Sequence, residues 1–275
     1  MSKKCLELAD IGLSGLEPRR DISGHSIVFK QHNESITEET RIYRYMRLST
    51  LLDMLYYGKM HVSNRLNFTD LREKKGIDNT VEPLPLFNIF PNYQDRLRNI
   101  RIEKERQSSL SICASCWTLD RRNNGHSDES YLMWKAYSKD EITCRVGTTI
   151  GRLIKSITHT PSDIVISEID YKGESKMNER EKLTFSKSNF YEDEQEVRMV
   201  VLSNERQGVD LDIDIQELLE EIKISPFVPP ILGFFLLRHL KEWCDKYKTI
   251  RIEYSNLMEY VETNKDYKIT KGSRI

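Results

Sequence analysis

Strand-like and helix-like segments are interspersed along this chain without strict alternation, and that property most narrows the folds open to it. Alternating or short apolar runs predict strands over 41–48, 60–64, 110–118, 142–148, 163–171, 194–202, 222–225 and 249–254. Helical spacing predicts helices over 49–58, 93–107, 128–139, 149–157, 178–188, 215–221 and 231–247. A doubly wound parallel sheet needs a helix after nearly every strand. The expected class is therefore α+β. Thr50 and Asp53 have the spacing of a capping box, and Gly58 fits a helix stop. Residues 65–92 are proline-rich and without periodicity, so they read as loop. The domain reading is an N-terminal extension over 1–40, loosely packed with one short helix. A single catalytic-type domain over 41–260 and a polar tail over 261–275 complete it.

Composition enters as a set of exclusions. The chain has 275 residues, of which 38% are hydrophobic, enough apolar mass for a sizeable core. Its formal net charge of -1 gives no global field for nucleic acid or an acidic membrane. The longest apolar stretch, Pro229 to Leu237, falls well short of the roughly 18 residues that a spanning helix needs. The first residues lack the pattern of a signal peptide, and five irregularly spaced cysteines do not form a disulfide framework. A cytoplasmic protein without a membrane partner is expected.

Three features carry candidate chemistry. On the strand at 41–48, Arg44 alternates onto the side of Ile42, Met46 and Leu48. A guanidinium there needs a partner. It is either a structural ion pair or an anchor for a phosphate or ribose. On the strand at 194–202, Glu194, Glu196 and Arg198 share one side. Two carboxylates beside a guanidinium suit the stabilisation of a cationic transition state, or simply a solvated polar face. Tyr131, Trp134 and Tyr137 fall at i, i+3 spacing on a helix, as core or as a platform for a flat ring. Cys113 and Cys116 are rejected as a metal or redox pair, because positions three apart on a strand point to opposite sides and no second ligand pair is near. No metal is expected, and neither a phosphate-binding loop nor a dinucleotide glycine motif is present. The basic strip Arg96, Arg98, Arg101, Lys104 and Arg106 reads as a solvated helix face.

Five stretches in order resemble a bacterial family, that of domain of unknown function 2971. They are Tyr43-Arg44-Tyr45; Asn67-Phe68-Thr69-Asp70 with Glu73; Met133-Trp134-Lys135-Ala136-Tyr137; Tyr191-Glu192 with Glu194, Glu196, Val197 and Arg198; and Ile222 to Pro226. The sequence departs from the family in carrying Arg44 where His is common, and Phe68-Thr69-Asp70 where the family has Asn-Asp-Pro. The layout is similar in turn to ADP-ribosyltransferases. The resemblance implies a split β-sandwich with helical elaborations and NAD, as substrate, between its sheets. It implies Glu196 and Glu194 as catalytic residues, with Arg44, Tyr45, Ser63, Trp134, Tyr137 and Arg198 as NAD-binding residues. The implied acceptor is an intracellular macromolecule (RNA, DNA or protein), and the implied setting a toxin or antiviral effector. Two alternatives stand beside this reading. One is a non-enzymatic nucleotide-sensing or partner-binding module. The other, ranked last, is a nuclease with Glu192, Asp193, Glu194 and Glu196 around a metal.

Overall fold

The structure is a computed structural model that describes residues 18–65, 112–119, 128–138, 141–203, 205–247 and 249–257. Its strands are β1 (Arg19–Arg20), β2 (Ser26–Lys30), β3 (Arg41–Arg47), β4 (Lys59–Asn64), β5 (Cys113–Leu119), β6 (Thr143–Thr149), β7 (Ile157–His159), β8 (Ile164–Glu168), β9 (Glu196–Val201), β10 (Val209–Ile213), β11 (Glu221–Ile224) and β12 (Arg251–Tyr254). Its helices are α1 (Leu48–Tyr57), α2 (Tyr131–Tyr137), α3 (Ile150–Ser156), α4 (Glu179–Phe185), α5 (Ile215–Leu218) and α6 (Pro230–Cys244), with a 3-10 turn at Asn189–Glu194. The strands form one large sheet in the order β1-β2-β8-β9-β5-β3-β6-β11-β12, with β4 on β5 and β10 bridging β4 and β7. Among the described strands only β2–β8 and β11–β12 pair in parallel. Helices and a mostly antiparallel sheet share one fold, as the α+β reading expects. Among the described residues no helix is long and apolar enough to cross a membrane.

One side of the sheet is apolar and carries the core. Ile42, Met46, Val146, Trp117, Val197, Met199, Ile166, Ile222 and Ile224 belong to one buried cluster, and α1, α3, α5 and α6 add residues to it. The other side is unusual. Directly opposed residues of paired strands share a side, and the register gives a continuous row Glu196–Thr118–Tyr43–Gly147–Glu221 across β9, β5, β3, β6 and β11. Beside it run Tyr45–Arg145–Lys223 and Cys116–Arg198–Ser167–Lys30. The centre of the sheet thus buries charge on one side. Gly147 fits this row because the Tyr43 ring lies over it; an added Cβ would sit 3.1 Å from that ring.

Among the described residues the strands β3 and β5 pair only at Ile42–Leu119 and Tyr43–Thr118. Beyond that β3 stays with β6, while the start of β5 is taken by β4 through Ser63–Ala114 and Asn64–Cys113. The sheet therefore forks between β3 and β5.

Several local expectations need correction. The extension expected to be loose is, from Arg19 on, the edge of the sheet, with Ile27 and Val28 of β2 buried against β8. The α1 helix begins at Leu48 straight from β3, with Arg47 at its N-cap and no side-chain cap, so the Thr50–Asp53 capping box does not form. Its stop at Gly58, in a left-handed conformation with φ 63°, is as the sequence indicates. Strands β7 and β10 fall where no strand is expected. The helix at 93–107, the basic strip on it, Asn67, Asp70 and Glu73 lie outside the described residues.

Candidate functional site

The candidate residues gather beside the fork where β9, β5 and β3 meet, with Glu196 on the charged side of the sheet and Arg44 starting from the opposite, apolar side that it shares with Ile42 and Met46. Gln195, with φ 45°, is the joint that makes it. It ends the 3-10 turn and starts β9, so Glu194 belongs to the turn and not to the strand. The simple alternation expected over 194–202 breaks here, and a solvated polar face is ruled out, because Glu196 and Arg198 are both buried.

Glu196 is 3% exposed and held from several sides. Arg198 Nε donates to its Oε1 at 2.6 Å and a terminal guanidinium nitrogen to its Oε2 at 3.1 Å. Lys187 Nζ lies 3.4 Å from Oε2, and the Cys116 thiol hydrogen-bonds to the same carboxylate. The Glu196 backbone N–H donates to the Tyr171 hydroxyl at 2.9 Å. Burial alone would raise the pKa of this carboxyl, but Arg198 by charge and hydrogen bond, then Lys187 and Cys116, push it down to about 2. Glu196 is therefore ionised throughout the physiological range. It is a fixed negative charge, not a proton carrier.

Lys187 also reaches Glu194, at 2.6 Å, and its ammonium lies 4.5 Å from the Tyr191 ring centroid. One lysine thus gathers the two carboxylates that the strand pattern alone cannot unite. A prediction about acid follows. The folded-state pKa of Glu196 is depressed, so its stabilisation is complete above the ordinary glutamate range, about 4.3. It is lost as pH falls from there toward about 2. Thermal unfolding from pH 7 to 3 should show a melting temperature that falls below about pH 4.5 in the parent. Glu196→Ala should flatten that fall; an equal fall in both proteins would remove Glu196 as its source.

Arg44 sits at the lip of the fork, half-buried, with its guanidinium carbon 6.0 Å from the Trp117 ring centroid. Among the described residues it makes no hydrogen bond or ion pair, unlike the neighbouring Arg145 and Arg198. Burial lowers its affinity for the proton, opposed by Tyr137 and Cys116 nearby. A guanidinium stays charged at any ordinary pH, and among the described residues this one has no anion beside it. Of the two readings open for Arg44, the internal ion pair is absent among the described residues.

Tyr137 joins the two ends. Its hydroxyl is desolvated, which pushes its pKa up, and it lies within the electrostatic reach of Cys116, Arg44, Glu196 and Glu194. The residue is nevertheless 43% exposed, and its ring stacks on Tyr45 with centroids 6.1 Å apart. Trp134 differs from the platform expected of it. It is fully buried, edge-on to Tyr45 at 4.9 Å, with its indole N–H donating to Glu129. Tyr45 is buried too, its hydroxyl accepting from the Ser130 N–H. Trp134 and Tyr45 are thus support for Tyr137 rather than surfaces for a ligand. Arg198, 1% exposed, likewise orients Glu196. Ser63 lies half-buried on β4 opposite Ala114, on the same side as Cys116.

A second buried network on the same side has no counterpart in the sequence reading. Arg145, fully buried, pairs with Asp128 at 3.0 Å and Glu221 at 2.7 Å, and its guanidinium covers the Tyr43 ring at 4.0 Å. Lys223 pairs with Glu129 at 2.8 Å. Glu129 also accepts from Trp134, Ser255 and the Asn256 N–H. The signal existed: Arg145 and Lys223 each interrupt an apolar strand, as Arg44 does. Lys187 and Tyr171 lie in loops and left no pattern to find.

Among the described residues no group of three or more His, Cys, Asp and Glu is arranged to hold a metal ion. Glu192 and Asp193 are exposed on the 3-10 turn, apart from Glu196. No model of a known family matches the chain, and no curated protein matches it either.

Proposed function

We propose that this chain is an NAD-dependent ADP-ribosyltransferase acting on an intracellular macromolecule, with its substrate seated at the fork between β3 and β5. One observation carries the reading: Tyr137 lies within the electrostatic influence both of a guanidinium that has no anion among the described residues and of a carboxylate that Arg198 and Lys187 hold ionised. NAD is complementary to that arrangement, being anionic at its pyrophosphate and cationic at its nicotinamide. The fork itself supports a split-sandwich fold of the transferase type.

Arg44 takes the pyrophosphate or the adjoining ribose. The exposed ring of Tyr137 stacks on nicotinamide, backed by Tyr45 and Trp134. Ser63 hydrogen-bonds a ribose hydroxyl. The nicotinamide–ribose bond breaks with its electron pair leaving on nicotinamide, and positive charge develops on the ribose ring. Glu196, ionised and pre-oriented by Arg198, stabilises that charge without reorganising. Glu194 accepts the proton of the acceptor nucleophile as its bond to the anomeric carbon forms.

The pairing of Glu196 with both Arg198 and Lys187 favours one alternative. A carboxylate already neutralised by two cations suits a module that binds the dinucleotide without cleaving it. The deciding experiment incubates the purified chain and a cell lysate with NAD labelled on its adenylate. The transferase reading expects free nicotinamide and label on protein, RNA or DNA, with no effect of chelator. Saturable NAD binding without nicotinamide release would favour the sensing module. Under either reading Arg44→Ala should weaken NAD binding about 10- to 100-fold, the loss of a charged hydrogen bond of roughly 1.5–3 kcal/mol. Calorimetric titration measures it, and unchanged affinity would remove Arg44 from the site.

A further inference from the structure

The α6 helix is apolar on two opposite sides, and only one of them is used. Gly233, Leu236, Leu237, Leu240 and Cys244 recur at the spacing of one helical stripe and face the core. Gly233 lets the helix sit against Tyr254, since an added Cβ would come within 2.9 Å of that ring. Two residues back, on the opposite side, Ile231, Phe234 and Phe235 are 74%, 58% and 50% exposed. Leu232 and Trp243 widen the patch on one flank, and Trp243 meets Tyr56 at 6.5 Å, which brings in the exposed Tyr56 and Tyr57 at the end of α1.

We infer that this face of α6, with the end of α1, is the contact between two copies of the chain, related by a two-fold axis near Phe234 and Phe235. The area argues for it. With large side chains presenting about 150–250 Å² each, the two groups, Ile231–Phe235 and Trp243 with Tyr56 and Tyr57, together leave roughly 800 Å² of side-chain surface open, with Arg238, His239 and Glu242 between them. A monomer's largest apolar patch is usually about 300–600 Å², whereas a standard two-protein interface takes about 800 Å² from each partner.

Charge argues for a second copy over other occupants. The C-terminal half of the outer stripe carries Arg238 and His239, but both pair with Glu242 of their own helix, at 2.9 and 3.4 Å. The face therefore asks for no oppositely charged partner. A net charge of -1 per chain leaves two copies with little mutual repulsion. A two-fold contact needs a self-complementary patch. An antiparallel pair of α6 helices overlaps the two Ile231–Phe235 halves and lays each Arg238 stem over the other copy's apolar end.

Sedimentation velocity on the full chain tests the proposal. At micromolar concentration the parent should sediment at about twice its 32.4 kDa mass. The double variant Phe234→Glu, Phe235→Glu should sediment as a monomer with unchanged circular dichroism. Because these side chains are exposed, the variant is expected to fold. Phe235→Cys supplies a readout that needs no destabilised interface: near the axis it should form a disulfide-linked dimer under mild oxidation, where the parent does not. A parent that stays monomeric, a dimer that survives the double substitution, or a monomer that binds phosphatidylserine vesicles through this face would each overturn the assignment.

Discussion

Glu196→Gln should lower nicotinamide release from NAD by at least about 100-fold, the usual penalty for removing one preorganised electrostatic partner of a transition state. Glutamine keeps the shape and can still accept from Arg198, so the change isolates the charge. That charge is the whole of the proposed role, because a carboxyl held at about 2 has no proton to give at pH 7. One confound has to be separated. Without its charge, Arg198 and Lys187 become buried cations with less to pair with, and stability falls as well. The assay therefore belongs well below the variant's melting temperature. Glu194→Gln is the companion: it leaves the Arg198 pair intact and should slow transfer to the acceptor more than NAD binding. Parent-like turnover by folded Glu196→Gln protein would end the transferase reading.

Arg145→Met should cost about 3–5 kcal/mol of folding stability, the range for breaking a buried ion network by removing one member. Arg145 is fully buried and alone bridges Asp128 and Glu221, while Lys223 is engaged mainly with Glu129. Among the described residues its loss leaves Glu221 with only a 3.4 Å contact to the largely exposed Arg251. Methionine matches the length of the stem and fills much of the space, so packing loss is minor beside the uncompensated charge. Urea unfolding would show a lower midpoint at an unchanged slope. Adding Glu221→Leu should recover part of the loss, since the orphaned carboxylate is then gone. A loss below about 1 kcal/mol, typical of solvent-exposed pairs, would mean that water shares the network.

Much of the secondary structure was legible because it rests on local periodicity. The Arg41–Arg47 strand, the Gly58 stop and the apolar inner stripe of α6 are set by neighbours along the chain. What hid was set by partners distant in sequence. Lys187 draws Glu194 to Glu196 from a loop, and the turn at Gln195 moves Glu194 off the strand that its neighbours define. Trp134 shows the limit of a spacing argument: i, i+3 places it with Tyr131 and Tyr137, but how deep each sits depends on Glu129 and Tyr45, which the spacing does not see. Arg44, Arg145 and Arg198 look alike in sequence, each a cation among apolar residues. Only the fold shows that two are satisfied by carboxylates while Arg44 has none among the described residues.

Among the described residues the seam between β3 and β5 holds two facing residue pairs, whereas β3 and β6 are laced along seven. At a join that short the panels on either side are held together mainly by the apolar layer they share, so any tilt between them would have to slide that packing. Arg44 rides on one panel and Glu196 on the other, so a small rocking of the sheet would change the span between cation and carboxylate. Under the proposed reading, a dinucleotide lodged across it would be gripped by the panels themselves.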